Sequence, residues 1–440
     1  MKRAVIILIA LAHQAHANPA DMFGFGARGA AMGGAQVAAA NDGTANYYNP
    51  AILARLDTIR IEAGYQIASP ALKVDDLDNA VDSSRGSVID IAVPGQLAGT
   101  RFTIGAMIFL PDEALTRLRN ESAQKPRWAL YDNLPQRLVF GANAALAITD
   151  DLMIGGGISY MAATKGVVNL RGLVGFPRPE LSNLDLAIDV DLDTIQYPVA
   201  GVWYHAADWL DLGASYRGGF YLTIDLAFNL KGDVGSPGQP PAVSNGHVDL
   251  HTVSQDLFQP AQWIVGFDAR VSSRAHLAMD LGYHRWSTFQ NPSAHIDPPD
   301  LDLGQFNQFI NIPPFPPLPD PHFHDILVPR AGFEWLAQDD DAHRWFARAG
   351  AIYEPTPAPE QTGESNFIDN SKITLTAGAG YELKHGLGEI IPRPVSFDLS
   401  LGITELVPRE HRKVSPVDAV GDYRSSGHVL EAGILSRWQF

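Results

Sequence analysis

The most regular feature of the chain is an alternation of apolar with polar or small residues at a period of two. At the C-terminus Phe440, Trp438, Ser436, Ile434, Ala432 and Leu430 share one face, and Gln439, Arg437, Leu435, Gly433 and Glu431 the other. Successive side chains of a β-strand point to opposite sides, so this pattern predicts a strand. It recurs with Ile59, Ile61, Ala63, Tyr65 and Ile67, with Trp263, Val265, Phe267 and Ala269, and with Val395, Phe397, Leu399, Leu401 and Ile403. Fourteen segments qualify, near 58–68, 86–94, 101–110, 137–147, 151–171, 184–205, 209–230, 247–271, 275–290, 325–337, 343–354, 371–384, 395–405 and 427–440. The gaps between them tend to alternate. Short ones include Thr149-Asp150-Asp151, Ala206-Ala207-Asp208, Ser272-Ser273-Arg274 and Asp339-Asp340-Asp341; long ones cover about 111–136, 231–246, 291–324, 355–370 and 406–426. Only the gap at 385–394 is long where a short turn is expected.

Alternation alone fits a soluble sandwich with its apolar face inside as well as an inverted, lipid-facing sheet. The connections favour the second. Short turns on one side, long loops on the other and an even strand number are the signature of a bacterial outer-membrane barrel. With both termini on the short-turn side the parity closes at fourteen, and closure pairs every backbone group that lipid cannot hydrate. Aromatics near strand ends, at Tyr65, Trp203, Trp209, Trp286, Trp335, Trp345, Tyr353, Trp438 and Phe440, are expected as interfacial girdles. The terminal Phe440 behind an alternating segment also resembles the C-terminal signature of bacterial outer-membrane proteins. The expected fold class is all-β, a transmembrane antiparallel β-barrel of about fourteen strands.

Composition narrows the function. Of 440 residues 18% are charged, below the roughly 25% of soluble chains. A net charge of −17 argues against nucleic acid as a partner, because phosphate binding needs clustered Lys and Arg. Cysteine is absent, which excludes disulfides, thiolate metal sites and cysteine nucleophiles. Lys2 and Arg3 precede an apolar run from Ala4 to Ala12, and Ala15 and Ala17 form an A-x-A pattern, so residues 1–17 are expected to be a signal peptide cleaved before Asn18. Elsewhere no apolar stretch is long enough to span a bilayer as a helix. Export without a helical anchor points to the bacterial outer membrane.

Residues 18–57, between the signal and the first strand, do not alternate. They contain Gly24, Phe25, Gly26, Arg28 and Gly29, then Met32-Gly33-Gly34-Ala35, Asn41-Asp42 and Tyr47-Tyr48-Asn49-Pro50-Ala51. Gly24, Gly26 and Gly29 match the spacing of a dinucleotide fingerprint, but that motif works only between a strand and a helix, and no strand precedes it here. The Gly-rich start, the Met32–Ala35 run, Asp42 and above all Asn49-Pro50-Ala51 resemble the FadL family of outer-membrane transporters of long-chain fatty acids and other hydrophobic compounds. The resemblance implies a fourteen-stranded barrel (58–440) whose N-terminal segment folds into the lumen as a hatch, with Asn49, Pro50 and Ala51 as its gating element. It also implies substrate capture at extracellular loops and lateral exit beside a kink in strand three. Asn-Pro is in any case a turn signal.

Several features bear on that expectation. Glycines predicted to face the lumen, among them Gly64, Gly105, Gly213, Gly266, Gly282, Gly332, Gly350, Gly378, Gly402 and Gly433, leave room for a hatch. Arg60, Glu62, Asp268, Arg270, Arg330, Glu334, Arg348 and Glu382 are expected to form salt-bridge layers with it or with each other, and one Arg is a candidate for a fatty-acid carboxylate. Pro111 cannot donate to a ladder, so it either opens strand three around Leu110–Pro111 or simply ends it. The proline-rich loop 291–324 carries Phe306, Phe309, Phe315 and Phe323, suited to substrate capture or to a lid. His295, Asp297, His322 and His324 in the same loop are too loosely spaced for a metal site, so no metal or other cofactor is expected. No Gly-x-Ser-x-Gly elbow and no His-Glu-x-x-His motif occurs, and an outer-membrane enzyme is the weaker alternative. The sequence therefore points to a monomeric channel in contact with outer-membrane lipid that takes up hydrophobic small molecules, long-chain fatty acids ahead of aromatic hydrocarbons, with a general porin as the other alternative.

Overall fold

The structure, a computed structural model, describes residues 23–112, 125–132, 137–175, 177–292, 295–296, 300–304, 307, 320–388, 392–416 and 418–440. The expected signal peptide and Phe306, Phe309, Phe315 and Asp297 lie outside them. Fourteen strands close into one antiparallel barrel: β1 (Arg60–Val74), β2 (Ser84–Leu97), β3 (Thr100–Pro111), β4 (Val139–Ala147), β5 (Leu152–Gly175), β6 (Asn183–Ala207), β7 (Leu210–Arg217, resumed as Phe220–Gly235), β8 (Val243–Gln259, resumed as Gln262–Ser272), β9 (Ala275–His284), β10 (Ile326–Asp339), β11 (His343–Glu354), β12 (Lys372–Leu383), β13 (Val395–His411) and β14 (Tyr423–Gln439). Closure comes from β1 against β14, where Arg60 faces Gln439 and Val74 faces Ser425 with no shift between. The order and span of the strands follow the sequence expectation closely, including the inverted polarity. Ile104, Val265, Leu375, Leu401 and Ile434 all point outward and are exposed in the isolated chain, as lipid-facing residues are.

Two strands depart from the straight elements that alternation predicts. β7 breaks at Gly218-Gly219 and β8 at Pro260-Ala261. Below the break β7 pairs with β6, from Ala207↔Leu210 to Val199↔Arg217. Above it β7 leaves β6 and runs parallel to β5, from Gly166↔Leu226 to Gly175↔Gly235. Pro198 stands at the divergence and lacks the N–H that would continue the β6 ladder. Gly218 instead donates to the Pro198 carbonyl at 2.7 Å. The upper arm of β8 pairs with the upper arm of β7, and the loop segment Asp300–Asp302 adds on to β8. The barrel therefore carries a sheet beyond its loop-side rim.

The aromatic girdle also needs correction. Trp209, Trp335, Trp345, Tyr353 and Phe440 are exposed as expected, but Trp203 and Trp286 are buried inside. The indole of Trp203 donates inward to the Ala38 carbonyl at 3.2 Å.

Residues 23–56 fill the lumen. Short helices at Ala27–Ala31 and Ala45–Tyr48 and a 3-10 helix at Pro50–Arg55 are joined by tight turns. Gly33 and Gly34 turn the chain with φ of +61° and +68°. Ile52, Leu53, Ala54 and Leu56 pack on Ala92, Ala145, Met153 and Trp203 of the wall.

If the outer face meets lipid, Leu401→Arg near mid-height should destabilise the barrel by roughly 2–4 kcal/mol in denaturant titrations from lipid vesicles. Val414→Arg, on a loop, should change stability by less than about 0.5 kcal/mol.

Candidate functional site

The site is the contact between the luminal segment and the wall, together with the space above it. Asn49 joins three parts of it. Its Oδ1 accepts from the Ala51 N–H at 3.1 Å and so caps the 3-10 helix that Pro50 opens. Its Nδ2 donates to the Val37 carbonyl at 2.7 Å and to the Val202 carbonyl of β6 at 3.0 Å. One fully buried amide thus ties a helix start to a second limb of the segment and to the barrel. Pro50 and Ala51 lie against β5, where a Cβ on Gly155 would stand 2.5 Å from Ala51 N. A Cβ on Gly201 of β6 would stand 1.9 Å from Asn49 Oδ1.

The same close approach recurs round the wall. Cβ atoms on Gly105, Gly213, Gly332, Gly350 and Gly378 would land 2.1–2.5 Å from Asn46, Val37, Met32, Gly33 and Ala31. These five were expected to face the lumen, as was Gly266, which approaches Val37; Gly155 and Gly201 were missed. Gly282, Gly402 and Gly433 approach wall side chains instead.

Polar contacts hold the segment in register. Arg28 forms a bidentate pair with Glu334 of β10, both contacts at 3.0 Å. Glu334 also accepts from Arg348 of β11 at 2.6 Å, and Arg348 reaches Asp398 of β13 at 2.5 Å. Asp398 continues to Arg437 of β14 at 3.3 Å. Arg437 returns to the segment at Asp42, 2.8 Å away, and bonds Glu62 of β1 at 3.1 Å, which also accepts from the Gly43 N–H at 2.7 Å. This relay begins and ends on the luminal segment and crosses five strands, with every member buried. Across the lumen the Gln36 and Val37 N–H groups donate to Asp280, and Arg217 lies 4.0 Å over the Tyr47 ring while bonding its carbonyl. Of the expected charges, Glu62, Glu334 and Arg348 join the relay. Glu382 pairs with Arg344, and Arg270 and Asp268 bond Asp211 and His276 instead. Arg28, Asp398, Arg437 and Asp280 were not singled out as charges. Their partners lie up to 395 residues away, and no local pattern signals them.

Above the segment lies a cavity between Phe23, Gly24, Tyr47 and Tyr48 on one side and Arg330, Ile352, Thr376 and Glu431 on the other. It adjoins a second space reaching Tyr131, Lys372, Thr404 and Val429. Lys372 is neutralised by Glu354 at 2.8 Å and Asp369 at 3.2 Å. Arg330 lines both spaces, half-buried, and forms no ion pair among the described residues.

At Leu110–Pro111 β3 is paired on one side: with β2 the ladder runs without interruption from Leu97↔Thr100 to Gly86↔Pro111, and with β4 it runs from Phe102↔Leu146 to Phe109↔Val139, where it ends. Pro111 stands at the end of its strand, where a missing N–H costs no ladder bond. Phe323, expected for capture or as part of a lid, packs inward. It is buried, stacked on Phe289 with centroids 4.2 Å apart, in a cluster with Phe258, Trp286 and Phe367.

The chain matches the family model described as outer membrane protein transport protein (OMPP1/FadL/TodX) over residues 6–311. It is similar to the structure of a Pseudomonas aeruginosa FadL homologue at 14% identity and a TM-score of 0.58, covering 94% of this chain and 98% of that one. The Pseudomonas putida toluene transporter TodX gives 16%, a TM-score of 0.54, and 96% and 99% coverage. The Ralstonia pickettii toluene transporter TbuX gives 16%, 0.51, and 96% and 99%. At these identities the likeness is one of fold. No curated protein matches the chain.

The close approaches predict that Gly201→Ala and Gly350→Ala dislodge the luminal segment and raise ion conductance in planar bilayers. Gly363→Ala, with open space around it, should leave conductance unchanged. Arg437→Met strands the buried carboxylates of Asp42 and Glu62 and should cost roughly 3–5 kcal/mol in urea unfolding. Asp90→Asn should cost far less or stabilise, because Asp90 is buried opposite Glu62 and neither of its oxygens accepts a hydrogen bond.

Proposed function

The chain belongs to the outer-membrane transport family of FadL and TodX, and from that premise we propose that it is an uptake channel for hydrophobic small molecules with a carboxylate head, long-chain fatty acids above all. Residues 18–57 act as its hatch, with Asn49-Pro50-Ala51 as the pivot. The observation that carries this is the unpaired guanidinium of Arg330 in a cavity directly above the hatch. A guanidinium pairs a carboxylate bidentately, and Phe23, Tyr47, Tyr48 and Ile352 offer apolar surface to a chain attached to it. Each methylene moved out of water gains about 0.8 kcal/mol, so an apolar substrate favours such a lined route over an open pore.

Capture is assigned to the sheet above the rim. Register aligns Ile188, Val168, Phe228 and Leu250 across β6, β5, β7 and β8, and beside them Leu186, Leu170, Leu230, Val248 and Leu301. Leu186 and Ile188 are exposed, and Leu301 comes from the same loop as Phe306, Phe309 and Phe315, which extend the capture surface in this proposal.

A second substrate class has its own support. TodX and TbuX, whose structures are similar to this one, are toluene transporters. A general porin is disfavoured, since the lumen holds a buried segment from Phe25 to Leu56. Catalysis is no part of this proposal.

Uptake of labelled oleate and of toluene by cells lacking their own fatty-acid channel separates the classes. Wild type should restore oleate uptake, and Arg330→Gln should abolish most of it while leaving outer-membrane folding intact. Restoration of toluene entry alone, unaffected by Arg330→Gln, would assign the channel to aromatic hydrocarbons.

A further inference from the structure

The sheet above the rim has two chemically different faces, and the second carries a group of side chains that transport does not use. Opposite the apolar rows, His247 and Asp249 of β8 project on the same side two residues apart. Asp249 faces Asp300 directly in register, and His247 faces Asp302. An imidazole nitrogen of His247 and a carboxylate oxygen from each of Asp249 and Asp300 all lie within 4.8 Å of one another. His247 Nε2 and Asp300 Oδ2 are 3.7 Å apart, too far for a hydrogen bond.

The arrangement is unfavourable as it stands. Like charges directly opposite on neighbouring strands repel. Asp249 Oδ1 is buried and has no hydrogen-bond partner. No lysine or arginine makes an ion pair with Asp249 or Asp300 among the described residues. Asp302 is committed elsewhere, its Oδ1 accepting from Gly304 N–H at 2.9 Å and Asn307 Nδ2 at 3.1 Å, which braces the adjoining turn. A cation centred on the other three groups would remove both the repulsion and the orphaned oxygen.

We propose that His247, Asp249 and Asp300 form a binding site for a divalent transition-metal ion, zinc being the best match, with solvent completing the coordination. One imidazole and two carboxylates are ordinary zinc donors, and zinc accepts four ligands. Two ligand atoms each about 2.0–2.2 Å from a tetrahedral ion stand about 3.3–3.6 Å apart, close to the separation of His247 and Asp300. Calcium fits less well, because it requires six to eight oxygens and rarely takes imidazole. Among the described residues the loop contributes Asp300 alone, and the imidazole comes from a strand remote in sequence. Bound metal fastens Asp300–Asp302, a segment of three register pairs, and holds Leu301 beside Val248 on the opposite face.

The test uses the full-length chain folded in detergent micelles, stripped with chelator, and titrated with zinc against a competing chelating dye. One equivalent should bind. His247→Ala, Asp249→Asn and Asp300→Asn should each weaken it by at least about tenfold, since even removing a partner that only supports a ligand costs 10–100-fold. His322→Ala/His324→Ala should leave it unchanged. Cobalt(II) in place of zinc should give the intense visible absorption of a four-coordinate site in the wild type and not in His247→Ala. Heat-modifiable migration of each variant checks that the barrel is folded. Binding that survives all three substitutions, or zinc held no more tightly than by the exposed loop histidines, would overturn the site. Calcium binding that zinc cannot displace would overturn the choice of metal.

Discussion

A peptide segment sealed inside a barrel must hand every buried charge and most of its backbone donors to the wall, and this requirement organises the molecule. An arginine without a partner in such a space is far more costly than any apolar contact nearby can offset. Arg28 therefore meets Glu334, but Glu334 on a strand draws in Arg348, and Arg348 draws in Asp398 and then Arg437. The relay ends where it began, on the luminal segment at Asp42. Ion pairs of this kind contribute modestly to stability in themselves but penalise every other register heavily. The segment is held less by adhesion than by the absence of another place to put its charges.

Glycine makes that proximity possible. A barrel of fourteen strands is narrow, and backbone-to-backbone approach leaves no room for side chains between segment and wall. At Gly350 a single methyl would meet Gly33 N at 2.1 Å, and at Gly213 the Val37 carbonyl at the same distance. These positions were legible in the sequence because alternation separates inward from outward residues, and inward glycine permits close backbone approach, although Gly282, Gly402 and Gly433 meet wall side chains instead. The strand count was legible for the same reason. Long-range pairing was not. Nothing near Gly218-Gly219 or Pro260 says that β7 will exchange β6 for β5, since a period of two records which face a residue takes and not which strand lies beside it. Pro111 was ambiguous for a related reason. Proline breaks a ladder only where a partner waits for its N–H, and the neighbour geometry that decides this is non-local. Trp203 shows the limit for aromatics: a girdle residue and a luminal residue look alike in sequence, and only the Ala38 carbonyl tells them apart.

The extracellular sheet shows how one pattern changes meaning along a strand. β5 and β6 pair through 22 residues, from Leu152↔Tyr204 to Leu173↔Asn183, without a register shift. Residues of the same parity are lipid-facing at Ile154 and Ile158 and become exposed apolar rows at the far end of the hairpin. Alternation that is satisfied by lipid within the membrane must find a different apolar partner beyond it. Soluble surfaces rarely expose contiguous apolar patches without use. The polar parity carries Asp185 and Asp189 on β6 and the His247 group on β8, so the two faces of one sheet differ in chemistry.

The distribution of contacts also dictates how the lumen can open. Withdrawing the whole segment would strand Arg28, Asp42 and the wall charges that answer them, and would expose the glycine track at once. The limb from Ala45 to Leu56 is no easier to move, being fixed by Asn46 to β2 and β3, by Asn143 from β4 and by Asn49 to β6. The first turn is different. Among the described residues Phe23 to Gly26 hydrogen-bonds the wall through Gln66 alone, at 3.2 and 3.4 Å, and is held to the rest of the segment by Phe25 on Tyr47 and Tyr48. No charge anchors it among the described residues. Phe23 also lines both halves of the cavity and the space beside Ile67 and Phe109. A molecule seated next to Arg330 thus touches a part of the segment whose displacement leaves every buried ion pair intact and breaks few hydrogen bonds. Opening at that end needs a change in a few aromatic and amide contacts, within reach of the binding energy of a small apolar molecule. Opening at the charged end does not come within that reach.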